Sequence, residues 1–232
     1  MEGFLLIDKP AGMTSHDVVD RVRRLTGERR VGHAGTLDPF ATGLLIVGVG
    51  RVATREMQKL VGLDKEYEAV FVLGKSSTTD DTEGEIVDAS IDLDGSRGLQ
   101  PASGRRLKPA ATIIEEAIHQ FIGEIDQVPP TYSAIKIGGK KMYEAAREGK
   151  PIEGKARRVT VYSMQTPPDL PLVRGGELRL PVTIRCSSGT YIRSLARDLG
   201  RALGGGGYVE QLRRTSIGPF SLKDAIALDG SR

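Results

Sequence analysis

Residues 32–49 read GHAGTLDPFATGLLIVGV. A turn rich in glycine and threonine surrounds one carboxylate, Asp38, with Pro39 directly after it. An apolar run from Leu44 to Val49 follows and has the length and composition of a buried strand. A single acid in a stiff turn beside a strand is a way to present one reactive group at a fixed angle. An aspartate before proline is also an ordinary turn former. The residues alone leave both readings open.

Working outward, Phe4–Ile7 reads as a short strand. Thr14-Ser15 can cap a helix carrying Val18, Val19, Val22 and Leu25, stopped by Gly27. Tyr67–Leu73 alternates as a strand. The stretch 75–84 is rich in Ser, Thr and Asp and reads as loop, and Asp80, Asp81 and Glu83 read as solvated because they lack calcium-site spacing. Residues 92–111 look irregular. Thr112 and Glu115 form a capping-box pattern opening a helix that stops at Gly123. Val159–Met164 and Leu178–Cys186 read as strands, and Pro181 places the second at an edge or a bulge. A helix follows Ser188-Gly189-Thr190, residues 204–207 read as a flexible break, and a last strand covers Gly207–Arg213. Strands and helices mix without a βαβ repeat, which predicts an α+β fold with a largely antiparallel sheet.

The bulk numbers narrow the function. The chain has 232 residues, enough for one large domain, and aromatic residues make up only 5% of them, so each Tyr in a polar setting is a candidate. With one cysteine, Cys186, neither an internal disulfide nor a thiolate metal site is available. His16, His33 and His119 lack metal-ligand spacing. No apolar run is long enough to span a bilayer. The N-terminus carries no signal-peptide pattern, so a cytoplasmic protein is expected. Net charge is +3, yet residues 134–158 hold eight cations and three anions, a net +5. Such a segment is either a footprint for nucleic acid or a solvated surface.

Several residues are candidates beside Asp38. Arg193, in the first turn of its helix, can keep a carboxylate ionised. Tyr67 and Tyr191 can stack on a base. Lys9 and His33 sit in short Gly/Pro-shaped segments where each can bond RNA or merely local backbone. No second acid at glycosidase spacing is identifiable.

The segments LLIDKPAGMTSHDVV, RVGHAGTLDPFATGLLIVGVG, KEYEAVFVLGKSSTTDDTEGEI, QVPPTYSAIKIGGKKMYEAAREGKPIE, CSSGTYIRSLARDLG and YVEQLRRTSIGPFSL occur in that order. They resemble the bacterial TruB family, the tRNA pseudouridine 55 synthases, over nearly the whole chain. The GHAGTLDPFATG and PPTYSAIK forms look less like the archaeal and eukaryotic relatives that use guide RNA. The resemblance implies a pseudouridine-synthase fold, with flanking helices, a mainly antiparallel sheet and a central RNA-binding cleft. It implies isomerisation of the uridine at position 55, in the tRNA T loop, by base flipping. It implies no cofactor, no metal, no guide RNA and a monomeric enzyme. Asp38 matches the essential aspartate, Arg193 its arginine partner, Tyr67 the stacking tyrosine and Tyr191 the second active-site tyrosine. Leu212 matches an apolar residue of the base pocket, His33 a histidine holding flipped nucleotides, and Lys9 a lysine of the N-terminal motif. Residues 128–158, with Lys136, Lys140, Lys141 and Arg147, match a mobile thumb-like insertion that closes over the T arm. The catalytic domain is expected to fill 1–232, without the usual C-terminal RNA-binding domain, and residues 92–106 look like an insertion. A tRNA-folding chaperone role and an aspartyl-phosphate phosphotransferase are the competing functions. The second needs magnesium ligands that the sequence does not display.

Overall fold

The computed structural model describes residues 2–91, 93, 109–152, 154–168 and 177–228. The reading of 92–111 as irregular lies almost entirely outside them. In chain order the elements are β1 (Gly3–Lys9), α1 (Ser15–Thr26), β2 (Val31–Ala34), β3 (Thr42–Val49), α2 (Gly50–Val61), β4 (Lys65–Leu73), β5 (Lys75–Ser77), β6 (Ile86–Asp88), α3 (Ala110–His119), β7 (Gly123–Gln127), β8 (Lys136–Ile137), β9 (Lys140–Lys141), α4 (Met142–Arg147), β10 (Arg157–Gln165), β11 (Leu178–Cys186), α5 (Ile192–Ala202), β12 (Gly207–Ile217), β13 (Phe220–Ser221) and β14 (Ile226–Ala227). Among the described residues no helix is long and apolar enough to cross a membrane.

The chain forms two compact units. The first holds residues 1–69, 183–188 and 211–232, and the second holds 70–182 and 189–210.

In the first unit β3 is the centre. β1 pairs antiparallel with it along seven residues, Gly3↔Val49 to Lys9↔Gly43. β2 also pairs antiparallel with β3, Val31↔Val49 to Ala34↔Ile46, and β12 joins β3 in parallel through Arg213↔Thr42. β14 adds a short parallel edge on β1, and β13 folds back on β12. Strand residues alternate between faces. Leu45, Val47 and Val49 therefore pack with Val18, Val19 and Val22 of α1, while Leu44 and Ile46 pack with Met57 of α2. Both faces are covered, which is why β3 is continuously apolar. Full burial of each such side chain is worth about 1.5–3 kcal/mol. Gly48 lets α2 settle here, since a Cβ on it would stand 2.6 Å from the Met57 methyl.

α1 starts as its sequence predicts. Thr14 and Asp17 form a reciprocal capping box, with Thr14 N–H to Asp17 Oδ2 at 2.8 Å and Asp17 N–H to Thr14 Oγ1 at 3.1 Å. Gly27 closes it in the left-handed region at φ 71°. β2 and α2 are elements that the sequence reading did not anticipate.

In the second unit the part of β4 from residue 70 and the part of β11 up to residue 182 lie in the order β4–β11–β10–β7, with β7 antiparallel to β10. β11 lies between two strands, so Pro181 is not at an edge. Its neighbours Leu180 and Val182 are buried, and that burial offsets the missing ladder N–H. The Ser/Thr/Asp-rich loop carries a small antiparallel hairpin, Lys75↔Asp88 to Ser77↔Ile86. α3 begins at Ala110 after Pro109, with no side-chain cap bond, so the expected Thr112 cap lies inside the helix. Residues 204–207 are not a loose break. Gly205 N–H donates to Gly200 O at 3.0 Å, Gly206 N–H to Ala89 O at 2.7 Å and Gly74 N–H to Gly206 O at 2.9 Å. A Cβ on Gly206 would come 2.1 Å from Ser76 Oγ. Close packing, not freedom, calls for glycine there. Of the pairings described here, β1–β14 and β12–β3 are parallel and the others antiparallel, in keeping with the α+β expectation.

Candidate active site

The Asp38 turn is held residue by residue within the first unit. Ser15, 2% exposed, donates its hydroxyl to Leu37 O at 3.2 Å and accepts Leu37 N–H at 2.8 Å. Ala41 N–H donates to Asp38 O at 3.1 Å, and Gly12 N–H to Pro39 O at 2.9 Å. Lys9 is fully buried, and its ammonium donates to Pro10 O, Met13 O and Pro39 O at 2.8, 2.6 and 3.2 Å. Arg214, 1% exposed, donates through Nε to Leu44 O at 2.8 Å and through Nη2 to Gly35 O at 3.1 Å. Its Nη1 reaches Thr36 O at 3.5 Å. Hydrogen bonds to a charged donor are about twice as strong as neutral ones. The carbonyls of residues 35 to 39 thus each meet a donor, and Asp38 itself stays half-buried rather than sealed.

The Arg214 guanidinium also acts on the Tyr67 phenol. Burial pushes the Tyr67 phenol above its ordinary value; the charge of Arg214 opposes this and that of Asp38 adds to it, so Tyr67 and Asp38 share one electrostatic environment. Lys65 is buried at the C-terminal end of α2, where its ammonium donates to Val61 O and Leu63 O. Burial, with the repulsion of Arg214, lowers it to about 8. His33, on β2, is lowered by burial and then by Arg214, which favours the neutral imidazole; its Nδ1 is buried without a hydrogen bond. Leu212 is buried on β12. A polar cavity of about 310 Å³, lined by Leu63, Asp64, Lys65, Arg185 and Ser216, lies in the same unit, but none of the predicted site residues lines it.

The structure therefore brings Lys9, His33, Asp38, Tyr67 and Leu212 into one unit. It gives Lys9 three carbonyl partners, one of them Pro39 of the turn, rather than an outward position. Ser15, Lys65 and Arg214 were not singled out from sequence. The arginine after Leu212-Arg213 sits in a strand pattern, where it reads as surface charge.

Arg193 and Tyr191 belong to the second unit. Arg193 is 4% exposed; its Nη1 donates to Asp81 Oδ2 at 3.1 Å and Thr79 O at 3.0 Å, and its Nη2 to Tyr132 O at 2.9 Å. Gln127 fixes Tyr191 by donating to its carbonyl at 3.1 Å and accepting its N–H at 2.8 Å. Asp81 is 2% exposed, and Asp80 pairs with Arg197 at 2.9 Å. This corrects the reading of these two aspartates as a solvated loop: each is drawn in by a guanidinium on α5, more than a hundred positions along the chain. Burial raises the Asp80 carboxyl, against the pull of Arg197 and Arg193.

In the predicted thumb, β8 and β9 form a hairpin leading into α4, where Met142 is buried. Lys136 is exposed. Lys140 pairs with Glu148 and Lys141 with Glu144. Lys141 and Arg147 lie 5.3 and 5.5 Å from the Tyr143 ring. Exposed pairs of this kind contribute about 0–1 kcal/mol, so phosphates can exchange for them.

Residues 23–192 match the TruB family pseudouridylate synthase N-terminal domain, and 193–230 match the tRNA pseudouridylate synthase B C-terminal domain. The chain is 47% identical to tRNA pseudouridine synthase B of Thermobifida fusca, covering 98% of this chain and 73% of that one. It is 50% identical to the protein of the same name from Corynebacterium efficiens, covering 97% and 70%. Among solved structures it resembles a chain of a Cbf5-Nop10-Gar1 complex, with 30% identity and a TM-score of 0.66 over 98% of this chain. This chain spans about half (52%) of that one. The chain belongs to the TruB family of pseudouridylate synthases.

Proposed function

We propose that this chain converts uridine 55 in the T loop of tRNA to pseudouridine, with Asp38 as the essential carboxylate. The carrying observation is the turn itself, anchored at each carbonyl from 35 to 39 around a half-buried acid. Preorganisation of that kind serves a reacting group and exceeds what a connecting loop needs.

The target uridine leaves its stack at a cost of a few kcal/mol. Stacking on an aromatic ring recovers about 1–3 kcal/mol, and Tyr67 takes that role. Leu212 lines the base pocket, and His33, as neutral imidazole, holds the flipped nucleotides. Asp38 removes a proton from the sugar as the glycosidic bond breaks. Carbon 5 of the turned uracil then bonds to the glycal as Asp38 returns its proton to the sugar, and the carbon 5 proton leaves while the freed ring nitrogen takes one up. Atoms are conserved, so no redox cofactor or hydrolytic water is consumed. In this reading Lys9 is a positioning residue for the turn. Arg193, as the partner of Asp38, and Tyr191 complete the set on the assignment of the family resemblance. The cations of residues 128–158 contact the T arm. The enzyme acts as a monomer in the cytoplasm, on tRNA and without a guide RNA. Incubating the chain with unmodified tRNA and mapping pseudouridine along the product tests the reading. Modification confined to position 55 is expected; no modification, or modification only elsewhere, overturns it.

A further inference from the structure

The basic segment 134–158 drew attention by its net +5, yet residues 21–59 carry the same excess: eight cations and three anions. Among the described residues each segment mixes paired and unpaired cations: Arg23 pairs with Asp20 and Lys59 with Glu56 in the earlier one, and Lys136, Lys150, Lys155 and Arg157 are exposed in the later one. In the later segment Lys140, Lys141 and Arg158 have carboxylate partners, and Arg147 lies over Tyr143. In the earlier one Arg29, Arg30, Arg51 and Arg55 are exposed, and their side chains make no hydrogen bond or ion pair among the described residues.

These four arginines meet at one corner of the first unit. Gly50 N–H donates to Arg30 O at 2.8 Å, and Val31 pairs with Val49, so Arg29 and Arg30 stand beside the start of α2, where Arg51 lies. Arg55 follows one turn later, about 6 Å along the helix axis. β2 runs from this corner towards the Asp38 turn, and its four residues span about 13 Å. Arginine presents a fixed fork of donors suited to phosphate. Glu28 accepts the Arg30 N–H at 2.8 Å and the Glu2 carboxylate lies against Gly50, yet four such forks against these two acids leave a net positive, anion-binding surface.

We propose that Arg29, Arg30, Arg51 and Arg55 form a surface that grips the phosphate backbone of the RNA whose uridine reaches Asp38. This rests on the RNA reading above and adds a contact surface to it. Leu25 and Val52, 70% and 69% exposed, would suit a membrane surface as well. The strand linking the corner to the Asp38 turn favours RNA.

The test is the salt dependence of binding of unmodified tRNA to the wild-type chain and to the Arg30→Gln/Arg51→Gln/Arg55→Gln variant. Each phosphate contact contributes about 0.7–0.9 to the slope of log affinity against log salt. The variant's slope is expected to be less negative by about 2–3, with affinity about 10²-fold lower near ~0.1 M salt. Arg51→Gln/Arg55→Gln, a milder change, should lose about 1.4–1.8 of slope and serves if the triple variant folds poorly. An unchanged slope in a folded variant overturns this surface alone. A wild-type chain that binds no tRNA overturns it together with the proposed function. Loss of binding to phosphatidylserine vesicles, with the tRNA slope unaltered, assigns the corner to a membrane and likewise overturns it.

Discussion

Replacing Ser15 by alanine removes one oxygen and disconnects the Asp38 turn from α1. The Ser15 hydroxyl serves both main-chain groups of Leu37, at 2.8 and 3.2 Å, from a site 2% exposed. Without it a buried N–H and a buried C=O lose their partner, and each unsatisfied group costs about 1–3 kcal/mol. Asp38 and Pro39 are only half-buried, so water can reach part of the gap, and a total near 2 kcal/mol follows. For a chain of this size that lowers Tm by about 4–8 °C. The chemical consequence is larger than the thermal one, because a shift of about 1 Å in a reacting group costs roughly 10²-fold in rate. Single-turnover pseudouridine formation at saturating tRNA is therefore expected to slow by about 10–10²-fold, with tRNA affinity within a factor of about 3. Calorimetry gives the first quantity, and rapid-quench sampling with filter binding gives the others. A lower Tm with an unaltered rate would refute the reasoning, since the anchor would then serve stability alone. So would a loss of affinity equal to the loss of rate.

Other expectations follow from particular contacts. Arg193→Met leaves Asp81 buried without its guanidinium partner, and breaking such a pair costs about 3–5 kcal/mol; urea titration should show it, with partial recovery in Arg193→Met/Asp81→Asn. Lys65 titrates near 8 in the folded chain and near 10.5 when unfolded, so the unfolded state binds more protons between those values and Lys65 makes stability rise with pH across that window. Lys65→Met removes this rise, so the variant's Tm relative to wild type should fall as pH goes from about 8 to 10; a pH-independent difference would contradict the buried placement. Gly206→Ala drives a Cβ into Ser76 Oγ and the Ala89 side chain and should lower stability by about 1–3 kcal/mol, whereas a flexible loop there would tolerate it.

What the sequence discloses depends on how far apart the interacting residues lie. The α1 cap is legible because Thr14 and Asp17 are three positions apart, and β3 because its apolar run is continuous. α2 is harder to read: it starts at a glycine and buries only Gly50, Ala53 and Met57, too few apolar groups to set a clear period. Asp38 stands out by its turn chemistry, but its supports do not. Ser15 acts across 22 positions, and Arg214 across about 170 to 179. Asp81 looks solvated until Arg193, 112 positions later, is seen beside it. Local chemistry shows in sequence, while burial of charge is a property of the folded neighbourhood.

The most direct measurement concerns Asp38. The Asp38→Asn variant keeps the shape of the side chain and every backbone anchor of the turn, and removes the carboxylate. With unmodified tRNA in single turnover, it should bind within about threefold of the wild type, on the order of 0.6 kcal/mol, and form no pseudouridine at position 55. Pseudouridine formation at an appreciable fraction of the wild-type rate would contradict the account at its centre.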